Sequence, residues 1–353
     1  MLKLDKVPSS REDIFTSPSL SLSEKRNLMK FITFSQQNLS STAPESLDDL
    51  LKSPEYHLPQ TLRNAIQYAI ALSPTPGIGQ KEAFKAIQRH VAGFGVYGPF
   101  PLIVPLHGGG GELSQAFCRT AAVNGATYIL NRKIRGVRKD EGEYPFDVTF
   151  DVEEGEALGR VRCRHLVRAA RERSSRDTVE ITKRVCIVAG GGNNGVFDEL
   201  FSSDAQFKDA ALVIVPPHAL NVEQDVPIQI ILHGGGIGEC PMGQWIIYSS
   251  IRQSGASALD NLVLAEDKLL ACLSSADDLQ IEKVLELTYR CVESREDDGL
   301  QRDDEGIVHV DDPSESMDFD DAYSKARKIH VELFGEDDEF MEQKDTSNED
   351  EDE

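Results

Sequence analysis

Gly190-Gly191-Gly192-Asn193-Asn194-Gly195 has G-x-G-x-x-G spacing and follows an apolar run, Arg184 to Ala189. Such a turn lets backbone approach a pyrophosphate at the N-terminus of the next helix, and a carboxylate after the second strand then holds a ribose. Here the second apolar run, Ala211 to Val215, enters Pro216-Pro217-His218 with no carboxylate. The intervening VFDELFSSDAQF is short and polar for a packing helix. A loop is the reading, and a flavin- or nicotinamide-dependent oxidoreductase is the alternative from the enzyme class. Gly108–Gly111 and Gly234–Gly236 precede no Lys-Ser/Thr pair, so neither is a phosphate loop, and both read as tight turns with positive φ. Six cysteines form no CxxC pair. His107, His218 and His233 each end a strand pattern and form no ligand-spaced set. No nucleophile, metal cluster or phosphate cradle emerges.

The elements that position these residues suit docking better than catalysis. Pro105 to Leu130, PLHGGGGELSQAFCRTAAVNGATYIL, reads as a glycine turn, a helix and then a strand over Thr127–Arg132. Before it, residues 1–97 read as an all-α block. Ser21 and Glu24 form a capping-box pattern opening a helix with Leu28, Phe31, Ile32 and Ser35 on one face. A short helix follows near Leu47 to Leu51. Another starts at Pro59 with Leu62, Ala65, Ile66, Ala69 and Ile70 at helical spacing, and a last one runs from Gln80 to Val91 with Phe84 and Ile87 inward. From Pro101 the pattern turns to strands: 101–104, 127–132, 146–152, 162–167, 185–189, 211–215, 228–232 and 244–249. Helices are expected at 261–273, 281–290 and 322–334.

Composition narrows the function classes. Residues 293–353 hold 25 acidic and six basic side chains, which is −19 of the total −23. The acidity is therefore a property of the C-terminal end, and the stretch after Gly335 is expected to be a disordered acidic tail. Clustered Lys and Arg for nucleic acid are lacking, and no nucleic-acid partner is expected. The N-terminus MLKLDKVPSSRED has no signal-peptide core, and no apolar run reaches the roughly 20 residues of a membrane span. A cytoplasmic protein with reduced thiols, touching membranes only peripherally, is expected. The helical block has one possibility beyond its own core: a small bundle that opens can take a lipid chain, at roughly 0.8 kcal/mol per buried CH₂.

The segment Pro105–Leu130 resembles the family of Rab GDP-dissociation inhibitors and Rab escort proteins. The family pattern there runs P-L-Y-G-x-G-E-L-P-Q-x-F-x-R, a small-residue turn, then T-Y-x-L. VPSSREDIF, LSLSEKRNLMKFITF, CPMGQWIIYSS and FDDAYSKARKIHVELFG resemble the escort branch. This sequence departs at His107 for Tyr, one extra glycine before Glu112, Ser114 for Pro, and Val96 for a basic residue.

The resemblance implies a fold and a set of roles. An α/β domain I, related to flavoprotein monooxygenases but without use of the flavin, carries an all-α domain II. Residues 1–97 are then domain II, 98–335 the C-terminal part of an incomplete domain I, and 336–353 the tail. The family's first strand, its glycine-rich turn and one half of its Rab platform would precede Met1, and their absence is expected to leave sheet edges exposed. Glu112, Arg119, Thr127 and Ile129 fall on the Rab-binding platform, and Tyr97-Gly98 in a mobile effector loop. Phe84 and Arg89 are candidates for touching the geranylgeranyltransferase catalytic subunits. Leu62, Ile66, Ile70 and Ile87 would line a geranylgeranyl pocket. The implied activity is binding of GDP-bound Rab, prenylated or unprenylated, and its escort to the transferase without catalysis. The alternative within the family is a dissociation inhibitor that recycles Rabs from membranes.

Overall fold

The computed structural model describes residues 4–8, 11–37, 46–96, 98, 101–106, 108–151, 159–169, 178–190, 209–273, 281–294, 301–310, 314, 317, 319–336 and 340–341. The chain forms two compact units: Met1–Ala121 with Val179–Val292, and Ala122–Thr178 with Glu293–Glu353.

The first unit opens with helices. After a short α1 (Arg11–Thr16), α2 (Leu22–Gln37) begins at the capping box read from the sequence. Ser21 N–H donates to Glu24 Oε2 at 2.8 Å, and Glu24 N–H donates to Ser21 Oγ at 3.3 Å. The Ser21 hydroxyl, and with it the Ser21 N–H, holds the Glu24 carboxyl below its ordinary pKa. A depressed carboxylate stabilises the fold above its ordinary titration range, and that contribution is lost as pH falls through the lowered value. Ser21→Ala is expected to cost about 1 kcal/mol at neutral pH, and the deficit should shrink on acidification. Urea unfolding of both forms at two pH values checks this.

The remaining helices close around α2. They are α3 (Leu47–Lys52), α4 (Gln60–Asn64) and α5 (Gln80–Gly93). Helix α4 continues through a wider turn at Ala65–Ile70, where Ala71 N–H bonds back to Ile66 O at 2.8 Å. Leu28, Phe31, Leu47, Leu51, Tyr56, Leu62, Ile66, Ile70, Phe84 and Ile87 make one core.

A five-stranded sheet completes this unit, in the order β6 (Ala210–Val215), β7 (Ile228–Gly234), β8 (Gln244–Ile251), β5 (Thr178–Gly190) and β9 (Ile281–Ser294). Strict alternation buries Ile228, Ile230 and Leu232 against α7 (Ala256–Leu273), which presents Ala258, Leu262, Ala265 and Leu269. Strands β6, β7, β8 and β5 pair antiparallel, so β6 runs opposite to β5. A dinucleotide turn needs a parallel crossover between consecutive strands. Gly190 ends β5, but the next strand among the described residues, β6, is antiparallel to it and three places away; the rest of the Gly190–Gly195 motif lies outside the described residues.

Four sequence expectations are corrected. Residues 281–290, expected as a helix, are strand β9, because β5 supplies a hydrogen-bonding neighbour and Lys283, Leu285, Leu287 and Tyr289 also fit a two-residue period. Residues 101–104 and 127–132 are not strands; they carry strand-type side chains without a pairing partner among the described residues. The 162–167 segment splits into β3 (Arg160–Cys163) and β4 (Val167–Ala169). Strand β9 is a sheet edge, and Val284, Leu285, Leu287, Tyr289 and Val292 on it are exposed.

The second unit holds two small sheets. One is β1 (Ile134–Lys139), β2 (Phe146–Phe150) and β3; the other joins β10 (Gln301–Arg302), β11 (Val308–Val310) and β4. Helix α8 (Asp320–Phe334) follows them. No helix among the described residues is long and apolar enough to cross a membrane.

Candidate functional site

Two glycines set the start of helix α6 (Gly110–Val123). Gly108 has φ +140° and Gly109 φ +65°, a region L side chains avoid. Glu112 N–H donates to Gly109 O at 3.1 Å, opening the helix. The Glu112 side chain folds back over Gly108, where a Cβ would lie 2.7 Å from Glu112 Oε1. A carboxylate in the first turn also complements the helix dipole.

Helix α6 is uncovered. Gly110 through Thr120 are all exposed, with Phe117 at 62% and, further along, Val123 at 81%. Glu112 and Arg119 are seven residues apart, so they share a face about 10 Å apart along the axis. Arg119 makes no ion pair or hydrogen bond with another described residue. Leu113 and Phe117 lie beside that face, one turn apart. The result is an acid and a base on one face with apolar surface beside it, a pattern that fixes the orientation of a protein partner by charge and binds it by burial.

The other expected site residues divide by place. Thr127 and Ile129 are exposed in the second unit, after the Gly125 turn (φ +95°). Tyr97 and His107 lie outside the described residues. Gly98 is described, and its carbonyl accepts from Gly95 N–H at 2.9 Å. Leu62, Ile66, Ile70 and Ile87 are buried together. Phe84 is 1% exposed in the same core, on the inner side of α5 with Ala83 and Ile87, which corrects the expectation that it meets a partner directly; Arg89 on the outer side is exposed. His90, also on α5, is buried with neither ring nitrogen hydrogen-bonded to another described residue, and burial pushes its pKa down to about 4, so it is neutral at physiological pH.

Sequence reading missed two polar clusters. In one, His233 Nδ1 and Tyr248 OH both meet Glu239 Oε2, at 2.7 and 3.1 Å, against the buried Gly109. Burial and the Glu239 charge push the Tyr248 phenol up, so it stays a donor. In the other, Arg184 on β5 meets the fully buried Glu266 of α7 at 2.8 Å. The signal for the first was the pair His233 and Glu239 bracketing a glycine run; nothing local marked the second. Among the described residues no group of His, Cys, Asp or Glu is arranged to hold a metal ion.

Comparison with known proteins places the chain. A family model described as GDP dissociation inhibitor matches residues 2–255. A Rab proteins geranylgeranyltransferase component A of Saccharomyces cerevisiae is 29% identical over 300 residues, covering 80% of this chain and 47% of the relative. Rab escort protein 1 of Arabidopsis thaliana is 25% identical over 396 residues, covering 97% of this chain and 67% of the relative. The chain thus spans about half of the yeast relative's length and two thirds of the plant one's. The crystal structure of a Rab GDI from Plasmodium falciparum superposes with a TM-score of 0.64 at 17% identity, over 95% of this chain and 72% of that one. That likeness is one of fold, a mixed α/β architecture.

Proposed function

The chain belongs to the GDP dissociation inhibitor family, and on that premise we propose that it binds a GDP-bound Rab GTPase through the exposed face of α6. It shields the geranylgeranylated tail and presents the Rab to the catalytic subunits of Rab geranylgeranyltransferase, as an accessory protein without chemistry of its own. It meets membranes only peripherally, with its cargo. The observation that carries the reading is the uncovered helix on which Glu112 and Arg119 share one face. Thr127 and Ile129, exposed in the second unit, are read by themselves as residues that can meet a Rab. Leu62, Ile66, Ile70 and Ile87 supply the apolar interior for the lipid. They pack closed on one another, so the helices part when a chain enters.

Glu112→Ala with Arg119→Ala is expected to weaken binding to GDP-loaded Rab by about 10- to 100-fold, as two charge-assisted contacts are lost. Calorimetric titration measures it, and unchanged affinity sinks the α6 assignment. Formation of a ternary complex with unprenylated Rab and the transferase separates escort from simple retrieval of prenylated Rab. A chain that binds only prenylated Rab and never the transferase would be a recycling inhibitor instead.

A further inference from the structure

We propose that Glu239 is a positioning residue: it fixes the glycine turn that starts α6 and so sets where Glu112 and Arg119 stand. The inference rests on the reading of α6 as a Rab-binding helix, but its structural half is testable without it.

The argument begins at Gly109. This residue is buried, and a Cβ built on it would lie 1.4 Å from Glu239 Oε1 and 2.4 Å from Glu239 Cδ. No other side chain fits there. The carboxylate therefore lies against the backbone at the first turn of α6, where negative charge is favoured by the helix dipole.

Glu239 does not reach that place by chance of rotamer. A carboxylate only accepts, so His233 carries its proton on Nδ1 and donates to Oε2 at 2.7 Å. Tyr248 OH donates to the same oxygen at 3.1 Å. His233 is the penultimate residue of β7 and Tyr248 is central in β8, the strand paired with it, where His233 lies opposite Ile246 and Tyr248 opposite Ile231. The turn between His233 and Glu239 is itself fixed. Asp209 O accepts from Gly234 N–H at 2.7 Å and Asp209 Oδ1 from Gly236 N–H at 3.1 Å. The helix start is thus tied to the rigid sheet through one side chain held at two points. Oε1, which takes no hydrogen bond from another described residue, is the oxygen that faces Gly109.

The test uses the full chain and three variants. Glu239→Ala is expected to speed hydrogen exchange at the amides of Gly110 to Leu113 and to weaken GDP-loaded Rab binding about tenfold, with Glu112 and Arg119 intact. Glu239→Gln, which keeps the shape and an accepting oxygen, should stay within about threefold of wild type. Gly109→Ala should be impaired by the clash, and the G109A/E239A pair should bind more tightly than the product of the two single losses allows. Strict additivity overturns the proposal, and so does unchanged exchange at Gly110–Leu113 in folded E239A. If E239A does not fold, Tyr248→Phe takes its place: faster exchange at the same amides supports the proposal and unchanged exchange overturns it. If the wild-type chain binds no Rab, the functional reading alone falls, and the exchange result still decides the positioning.

Discussion

Arg184→Met is expected to lower the unfolding free energy by about 3–5 kcal/mol at neutral pH, because it strands a buried charge. Arg184, Cys186 and Val188 share the face of β5 that packs into the sheet core, and Glu266 comes down onto that face from α7. Glu266 is fully buried; it accepts from Arg184 Nε at 2.8 Å and from Ser249 Oγ at 2.5 Å. Ser249 is the cross-strand partner of Arg184, so β5, β8 and α7 meet at one carboxylate. Arg184 also pairs with Glu286 of β9. Burial pushes the Glu266 carboxyl up, against the hydrogen bonds from Ser249 and Arg184. Removing the guanidinium leaves burial unopposed by a cation on that side, and the pKa climbs further. A carboxyl raised in the fold holds a proton that the unfolded chain releases. The variant's deficit therefore grows as pH rises above the unfolded value of about 4.3, and is small below it. Denaturant unfolding followed by the single tryptophan, Trp245, reads this core directly. A deficit that stays constant between acid and neutral pH would contradict the assignment. The R184M/E266M pair should recover most of the loss, since a buried pair replaced whole leaves no stranded charge.

Local signals were legible in the sequence, and long-range ones were not. The capping box at Ser21 and Glu24, the α5 stripe of Phe84 and Ile87, and the glycine start of α6 depend on residues within a turn or two of each other. Each appears as expected. The seven-residue step from Glu112 to Arg119 likewise follows from helical geometry alone. Strand β9 was misread because Ile281, Val284, Leu285 and Tyr289 fit a helical period as well as a strand. The neighbour that decides between them, β5, lies far away in sequence. The segment 127–132 failed in the opposite sense, strand-like in composition but with no described strand to pair with. Gly109 illustrates the limit most sharply. Its positive φ was foreseeable from the glycine run, whereas the reason it cannot carry a methyl group, Glu239, is brought there only by the sheet.

Phe31→Ala is expected to destabilise the helical block by about 3–5 kcal/mol and to separate its unfolding from that of the sheet. Phe31 is fully buried on α2, edge-on to Tyr56 with centroids 5.5 Å apart and tilted against Phe84 at 6.2 Å. Truncation removes the transfer free energy of a ring and leaves a cavity among side chains anchored on three separate stretches of chain, which limits collapse. The sheet core is a different cluster, with Trp245 in it, and shares no buried residue with the helical one. The segment Ala65–Ile70 touches β6 and is one route by which one core feels the other. Its wide turn departs from regular helix hydrogen bonding. In Phe31→Ala, loss of helical circular dichroism should therefore precede the Trp245 fluorescence change on heating, by a gap wider than in the wild type. Coincident transitions, both shifted equally, would mean the cores unfold as one. The same variant bears on the lipid reading. An interior that parts to admit a prenyl chain has a bound state in which Phe31 packs on lipid, so a prenylated peptide should recover part of the lost stability by linkage. A peptide that leaves the Phe31→Ala transition where it was would show that this closed core takes no lipid.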